Sequence, residues 1–352
     1  MQSGNHQNHY HRVLLRPNGR SFAVGPDESP LNAGLRQGVA LRYGCRRGRC
    51  SSCKYRLIEG EVDFGQASPY SLSESERQEG WVLMCCARAR SDLVVFDPEI
   101  DTLGQLPMIV PGELAGVVRN LERTGSTLWR LRVKLAEGIK FYPGQFIEIG
   151  VPWAPGEWRS YSIASPPSQA EEIELIIKRI EHGLFSGNLD RVVPGMAVNL
   201  RGPFGTSYLR EGESPVLMVA AGSGIAPLLS MIRHAGEVAD PRPFTLFYGA
   251  RTRADLPVAG EIAAYKPRNF NFEVTLSAPT PNCQWNGATG WVSKLLQHSI
   301  GDASPYDAYL CGAPEMCDAA ELLLSAKGIN EGRVFADRFY ATSAADGAVM
   351  VS

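Results

Sequence analysis

Apolar and polar residues alternate at every second position through the middle of the chain. This period places successive side chains on opposite faces of a β-strand. Four such segments stand between turns rich in glycine and proline: LWRLRVKL (128–135), QFIEIGV (145–151), EIELIIKRI (172–180) and MAVNLRG (196–202). Several short strands separated by turns of this kind predict a small antiparallel barrel.

After residue 215 the pattern changes to buried apolar strands that alternate with helices. The predicted strands are VLMVAA, FTLFYGA, FEVTLSA, DAYLCGA and RVFADRF, and the predicted helices are LLSMIRHA, WVSKLLQHS and EMCDAAELLLSAKG. This alternation predicts a parallel doubly wound sheet, which binds ligands at the carboxyl ends of its strands.

Two polar breaks divide the chain. The segment VFDPEIDTLGQLP, residues 95–107, carries acids, a glycine and two prolines, and LREGESP, residues 209–215, precedes a strongly apolar run. Segments of this composition are typical of linkers and turns. We therefore expect three domains, over residues 10–97, 104–210 and 214–340.

Net charge and hydropathy give no sign of nucleic acid or a membrane as a partner. The formal net charge of the 352 residues is −2, so any electrostatic attraction must be local. The first dozen residues lack the apolar region of a signal peptide, and no uninterrupted apolar run is long enough to span a bilayer. We expect a soluble, cytoplasmic protein.

Cysteines cluster near the N-terminus in a pattern that indicates a metal site. Five of the eight lie between positions 45 and 86, and such clustering in a reducing compartment is typical of metal or cluster binding. Cys45, Cys50 and Cys53 have the C-x4-C-x2-C spacing of a plant-type [2Fe–2S] site. A structural zinc site would favour two separated C-x2-C pairs or histidine partners, and neither occurs here.

Small residues between these thiols fit the same chemistry. Gly44, Gly48, Ser51 and Ser52 leave room for backbone N–H groups to approach the sulfurs. Spacing alone leaves the fourth ligand open, because WVLMCC offers both Cys85 and Cys86.

Two further motifs suggest a flavin and a dinucleotide. RSYS, Arg159–Ser162, combines a cation for a phosphate, a ring to cover an isoalloxazine and a hydroxyl within reach of a ring nitrogen. GSGIAP, Gly222–Pro227, follows a predicted strand and opens a predicted helix, which is the context that a dinucleotide loop requires. Its third glycine is replaced by Pro227, so the loop in isolation is a weak signal.

Together these motifs resemble the ferredoxin–NADP⁺ reductase superfamily, whose flavin domain carries R-x-Y-S followed by G-x-x-S. The order of motifs is similar to the single-chain reductase components of bacterial multicomponent oxygenases, such as those of phenol hydroxylase and methane monooxygenase. The resemblance implies a β-grasp-like ferredoxin domain, an antiparallel six-stranded FAD barrel and a doubly wound parallel nucleotide-binding domain. It also implies an NAD(P)H:acceptor oxidoreductase.

The resemblance implies roles for particular residues. In related ferredoxin domains a ligand cysteine precedes a Ser-Asp pair, and Cys85 fits that register with Ser91 and Asp92; Cys86 would then lie on the opposite face. Arg159 would contact the FAD pyrophosphate, Tyr161 would pack on the isoalloxazine, and Ser162 would lie near flavin N5. The remaining flavin positions implied are Ser160, Ile177, Lys178, Gly183 and Ser186, although Lys178 fits an exposed strand end equally well.

On the nicotinamide side the implied positions are Gly222, Gly224, Pro227, Tyr248, Arg251, Cys311 and Gly312. Cys311 would lie beside the nicotinamide and act with Tyr161 and Ser162 in hydride transfer, although a small buried core residue is the alternative. After FEVTLS, Ala278 and Pro279 stand where users of NADPH often place an arginine. We therefore expect NADH, while Arg251 and Arg253 keep NADPH open.

The expected partner is a separate oxygenase component that accepts electrons from the cluster, most simply a diiron monooxygenase acting on a small hydrocarbon or aromatic substrate. A Rieske dioxygenase, a deoxysugar-forming dehydratase or a role as a redox sensor are the alternatives. Arg46 and Arg47 either form a docking face for that partner or are ordinary solvated arginines.

Overall fold

The computed structural model describes residues 10–97, 107–256, 266–280 and 283–340, together with positions 260, 262 and 264. The chain divides into two compact units, Met1–Pro111 and Gly112–Ser352. Within the described part of the chain, no helix is long and apolar enough to cross a membrane.

The first unit contains a five-stranded sheet, a two-stranded sheet formed by β4 and β6, and two helices. Strand order is β2-β1-β7-β3-β5, and the central pair β1 and β7 is parallel while the other pairs are antiparallel. This is the predicted β-grasp-like arrangement. The elements are β1 (His11–Arg16), β2 (Ser21–Val24), α1 (Pro30–Arg36), β3 (Lys54–Glu59), β4 (Val62–Asp63), α2 (Glu74–Gln78), β5 (Trp81–Leu83), β6 (Arg88–Ala89) and β7 (Leu93–Phe96).

Local sequence explains where the two helices of this unit begin. Ser29 caps α1 by accepting a hydrogen bond from the Asn32 N–H at 3.2 Å, and Pro30 follows at the first helical position. Ser73 and Glu76 form a reciprocal capping box at the start of α2. The linker predicted to begin at Val95 starts later, because Val95 and Phe96 belong to β7. Residues 98–106 of that linker lie outside the described residues.

The second unit begins with a six-stranded antiparallel sheet that confirms the predicted barrel. Its order is β11-β10-β13-β8-β9-β12, and a bridge between Ile163 and Leu175 joins the outer strands. The strands are β8 (Gly112–Arg123), β9 (Leu128–Leu135), β10 (Phe146–Gly150), β11 (Trp158–Ser162), β12 (Glu172–Lys178) and β13 (Ala197–Phe204).

A parallel six-stranded sheet of order β17-β16-β15-β14-β18-β19 completes the second unit, as predicted. Its strands are β14 (Val216–Ala221), β15 (Phe244–Ala250), β16 (Phe270–Leu276), β17 (Ala288–Thr289), β18 (Asp307–Gly312) and β19 (Val334–Arg338). Its helices include α3 (Ile225–Glu237), α4 (Val292–Ser299) and α5 (Pro314–Ala326). Helix α3 starts earlier than predicted and includes Pro227, because a proline in the first turn removes an N–H that has no partner within the helix.

A buried carboxylate joins the barrel to α3. Glu174 lies on β12 with a side chain that is 7% exposed, and its Oε1 accepts a hydrogen bond from Arg233 Nη1 of α3 at 3.0 Å. Arg132 and Arg130 approach the same carboxylate at 3.3 Å and 3.5 Å. A buried charge is tolerated when it is paired in this way. Glu174 therefore fixes the helix against the barrel.

The loop after β11 makes a second junction with α3. The Ala164 carbonyl accepts from Arg233 Nη1 at 3.0 Å, and the Ser165 carbonyl accepts from the Ser230 hydroxyl at 2.7 Å. The acceptors lie two and three residues after the RSYS strand, and both donors lie on the helix that GSGIAP opens. The segments that follow the two motifs are thus joined by hydrogen bonds within this unit.

We predict that Glu174→Ala lowers the free energy of unfolding by about 3–5 kcal/mol, because it removes a buried carboxylate that several guanidinium groups share. Urea unfolding followed by tryptophan fluorescence measures the loss. Glu171→Ala is the control, since Glu171 pairs with Lys134 on the surface with a side chain that is 75% exposed, and its stability should match the wild type. Equal unfolding midpoints for the two variants would contradict this role of Glu174.

Candidate iron–sulfur and flavin–nicotinamide sites

The loop over residues 44–53 wraps its backbone N–H groups around sulfur atoms. The Cys45 N–H donates to Cys50 Sγ at 3.2 Å, and the N–H groups of Arg47 and Arg49 donate to Cys45 Sγ, each at 3.4 Å. Hydrogen bonds of this kind stabilise negative charge on a thiolate. The loop therefore presents sulfurs suited to binding a cation.

The candidate thiols come in two pairs. The Cys45 thiol, helped by Ser52, lowers the pKa of Cys50 below its ordinary value. The turn after β5 brings Cys85 close to Cys53, because the Met84 N–H donates to the Cys53 carbonyl at 3.0 Å. The neighbouring Cys53 thiol raises the pKa of Cys85. Among the described residues, no three candidate ligands surround a single ion. Two pairs suit a [2Fe–2S] cluster, in which each iron takes two thiolates.

Glycines in this loop leave space that a side chain would fill. A Cβ at Gly44 would lie 3.1 Å from Cys50 Sγ, and a Cβ at Gly48 would lie 2.5 Å from Cys86 Sγ. Gly48 also has φ of +71°, which favours glycine. The loop accordingly fits the sulfur-rich group that the cysteine spacing predicts.

The expected orientation of Cys86 is wrong. Its Sγ lies 3.6 Å from Cys85 Sγ, so the two thiols do not occupy opposite faces. The expectation assumed an extended strand, but β5 ends at Leu83. The N–H groups of Cys86 and Ala87 both donate to the Leu83 carbonyl at 3.0 Å, which makes a tight turn and brings the neighbouring side chains together.

Ion pairs occupy some of the basic residues around this loop. Arg42 pairs with Asp97 at 3.0 Å, and Lys54 pairs with Glu76 at 2.5 Å. Arg46 donates from Nη2 to Asn32 Oδ1 at 3.0 Å. The net positive charge around the cysteine loop is therefore smaller than the number of basic residues there suggests.

The RSYS strand, β11, offers groups on both of its faces. Arg159 and Tyr161 share one face by the alternation of a strand, and Tyr161 packs on Phe185 with ring centroids 5.7 Å apart. Arg159 Nη1 donates to Glu157 Oε2 at 2.8 Å. On the other face Ser160 is exposed and Ser162 is buried. This strand thus carries the cation, ring and hydroxyls that its sequence indicates.

The second flavin motif forms a compact turn. A Cβ at Gly183 would overlap the Ser186 hydroxyl, and the Gly187 N–H donates to the Gly183 carbonyl at 2.8 Å. A short 3₁₀ helix, Ser186–Arg191, begins at the serine of this motif. Nearby on β12, Ile177 is fully buried in the barrel core while Lys178 is exposed. Of these two, only Lys178 presents its side chain to solvent.

The dinucleotide loop packs against the end of β18. Gly222–Gly224 form a 3₁₀ turn with φ of +57° at Gly222, and α3 starts directly afterwards. A Cβ at Gly224 would overlap the Cys311 carbonyl oxygen. Tyr248 is fully buried and donates its hydroxyl to the Gly222 carbonyl at 3.0 Å. Tyr248 therefore holds the dinucleotide loop in place from the buried core of the sheet.

Cys311 lies deeper than expected. Its side chain is fully buried in the core of the nucleotide-binding sheet, and this burial raises the pKa of the thiol well above its ordinary value. The neighbouring Gly312 has φ of +147° and accepts a hydrogen bond from the Phe339 N–H at 2.7 Å. This geometry suits the core alternative for Cys311, and its contact with a nicotinamide stays a prediction.

A buried acid beside Arg251 is a residue that the sequence reasoning missed. Arg251 is exposed, whereas Asp255 is 5% exposed and accepts from the Ser126 N–H at 2.8 Å and the Thr252 hydroxyl at 2.8 Å. Burial alone would raise the pKa of Asp255, but these hydrogen bonds hold it below its ordinary value. Asp255 joins the nucleotide-binding sheet to the barrel, and no short motif marks it.

Comparison with known proteins agrees with this division of sites. Residues 13–90 match the 2Fe-2S iron-sulfur cluster binding domain, 118–208 match the oxidoreductase FAD-binding domain, and 218–321 match the oxidoreductase NAD-binding domain. The fold and these sites define an NAD(P)H-dependent oxidoreductase of the flavin and iron–sulfur class.

Full-length relatives narrow the class. The chain is 38% identical to the reductase component of phenol 2-monooxygenase from Pseudomonas sp. (strain CF600), covering 96% of each chain. It is 35% identical to the propane 2-monooxygenase reductase component of Gordonia sp. (strain TY-5), covering 94% of this chain and 97% of that one. The protein belongs to the family of reductase components of multicomponent monooxygenases.

A solved structure has the same architecture throughout. The Amycolatopsis cytochrome P450 reductase GcoB superposes with a TM-score of 0.81 and 28% identity, covering 94% of this chain and 98% of that one.

We predict that Gly224→Ala slows flavin reduction by NADH by about tenfold or more, since forcing a methyl group into a packed contact costs roughly 1–3 kcal/mol. Anaerobic stopped-flow absorbance measures the rate and its dependence on NADH. Gly301→Ala is the matched control, because a Cβ there meets no atom within 4 Å. A wild-type rate and NADH affinity in Gly224→Ala would show that the loop tolerates the methyl group.

Proposed function

We propose that the protein is the NADH-dependent reductase of a soluble diiron monooxygenase that hydroxylates a small hydrocarbon or aromatic compound. The observation that carries the flavin–nicotinamide part of this proposal is the junction between the segment after the RSYS strand and α3. Arg233 and Ser230 hold the segment after RSYS against the helix that the dinucleotide loop opens. The phenol and propane monooxygenase relatives support the substrate class.

Bound FAD would accept a hydride from NADH, and a bound [2Fe–2S] cluster would carry single electrons to the oxygenase. The chain contributes binding and alignment. In this proposal Arg159 neutralises pyrophosphate charge, Tyr161 covers one face of the flavin ring, and the hydroxyl of Ser162 offers a hydrogen bond to its edge. Ser160, Lys178, Gly183 and Ser186 complete the flavin contacts, with Ile177 supporting them from the core.

The proposed nicotinamide-binding site is formed mainly by the backbone of the dinucleotide loop. Gly222 and Gly224 shape the loop, Pro227 lies in the first turn of α3, and Tyr248 supports the loop through the Gly222 carbonyl. Arg251, Cys311 and Gly312 are the further contacts that we propose. We favour NADH because Ala278 and Pro279 supply no cation for a 2′-phosphate.

We propose Cys45, Cys50, Cys53 and Cys85 as the cluster ligands. The two thiol pairs and the N–H donors to sulfur support this set. Thiols that must stay reduced favour a cytoplasmic location. We further propose domain boundaries at residues 10–97, 104–210 and 214–340, and the three family matches lie within them.

We expect Cys45→Ser to abolish reduction of a one-electron protein acceptor such as cytochrome c while NADH still reduces the flavin, because only the exit to one-electron acceptors is lost. Stopped-flow absorbance follows the flavin, and steady-state assays follow cytochrome c. Cys283→Ser, a thiol outside the cluster loop, is the control and should retain both activities. Cytochrome c reduction at the wild-type rate in Cys45→Ser would rule out the relay.

The oxygenase is expected to dock on the loop that carries Arg46 and Arg47. Reversing both to Glu should slow electron transfer to the oxygenase by about tenfold at low salt and flatten its salt dependence, because opposite charges steer association. Arg16→Glu with Arg20→Glu makes the same charge change outside the loop and is the control. The docking proposal is wrong if both double variants give the same rates and the same salt dependence.

A further inference from the structure

The cluster loop is bordered by five thiols, although a plant-type cluster needs four. The fifth belongs to Cys86, which the proposed ligand set does not use. Its Sγ lies 3.6 Å from Cys85 Sγ. The side chain is partly buried rather than directed into solvent.

The turn after β5 holds Cys86 in this position. The Cys86 N–H donates to the Leu83 carbonyl at 3.0 Å, and the Leu31 N–H donates to the Met84 carbonyl, also at 3.0 Å. These bonds fix the backbone on both sides of Cys85. The direction of the Cys86 side chain therefore follows from the turn that delivers Cys85 to the loop.

The loop itself is shaped around Cys86 Sγ. A Cβ at Gly48 would lie only 2.5 Å from this sulfur, so any larger residue at position 48 would displace it. The Gly48 carbonyl is held in turn by the Ser71 hydroxyl at 2.5 Å and by the Ser68 N–H at 3.1 Å. Cys86 thus has a defined place against the segment that binds the cluster.

We propose that Cys86 is a reserve ligand for the iron that Cys85 binds. This inference rests on the proposed ligand set of Cys45, Cys50, Cys53 and Cys85. A rotation about χ1 moves a cysteine sulfur by about 3 Å between staggered positions, which is comparable to the 3.6 Å between the two sulfurs. Cys86 can therefore replace Cys85 with a small movement of the turn.

The exchange is a ligand substitution and needs no oxidant or reductant. The Cys86 thiol would lose its proton to solvent and its thiolate would form an Fe–S bond. The Fe–S bond to Cys85 would break, the released Cys85 thiolate would take up a proton, and the iron would keep its oxidation state. The result is again a cluster with four thiolates. Cys86 can substitute only for Cys85 in this proposal, because the turn holds the Cys86 sulfur next to the Cys85 sulfur.

The test compares four variants of the full-length chain: Cys85→Ala, Cys86→Ala, the double variant and Cys45→Ala. Iron and acid-labile sulfide per chain, visible circular dichroism and EPR of the dithionite-reduced protein give readouts that do not depend on activity. Cys86→Ala should match the wild type at about two irons per chain. Cys85→Ala should retain the cluster with shifted spectra, while the double variant and Cys45→Ala lose it.

Loss of iron from Cys85→Ala as complete as from the double variant would overturn the proposal. FAD content shows whether each variant has folded its second unit. If Cys85→Ala yields no protein, Cys85→Ser is compared with Cys85→Ser/Cys86→Ala. A serine ligand would give both proteins the same spectra and overturn the proposal, whereas a Cys86 ligand makes them differ.

These outcomes separate this inference from the proposed ligand set. A wild-type protein without iron would refute the ligand set itself. Iron in the wild type together with none in Cys85→Ala refutes only the reserve role of Cys86. Cys86→Ala without iron, beside Cys85→Ala with wild-type spectra, would make Cys86 the resident ligand and overturn the reserve role as well.

Discussion

The second unit depends on the buried carboxylate of Glu174. Glu174 lies on a barrel strand and accepts a hydrogen bond from Arg233 of α3 at 3.0 Å. The barrel and the nucleotide-binding domain therefore meet at a buried ion pair, and loss of either partner would leave an unpaired buried charge. The same arginine also donates to the Ala164 carbonyl, two residues after RSYS. This arrangement holds the proposed flavin strand and the proposed dinucleotide helix in one fixed relation, which hydride transfer requires.

Close backbone approach is the second constraint, and it recurs at both candidate sites. Gly224 lies against the Cys311 carbonyl, and Gly48 lies against Cys86 Sγ. In each case a side chain would separate two segments that must touch. The dinucleotide loop and the cluster loop therefore share a physical reason for their glycines, although they bind different groups.

Much of this architecture could be predicted from the sequence, because periodicity and spacing are local signals. The alternating strands and the C-x4-C-x2-C motif are of that kind. Glu174 and Asp255 were missed, since their partners are brought to them only by the tertiary fold. The predicted orientation of Cys86 is wrong, because a strand that ends one or two residues earlier places Cys85 and Cys86 in a turn and no longer on opposite faces of a strand. The burial of Cys311 likewise depends on the packing of β18, which no motif encodes.

The central claim is that one chain takes a hydride and releases single electrons through its cluster. Anaerobic titration of the purified protein with NADH, followed by absorbance and EPR, tests it most directly. The account predicts uptake of about three electrons per chain, two for the flavin and one for the cluster, with an EPR signal approaching about one spin per chain. Full reduction of the flavin with no reduced-cluster signal would contradict the account.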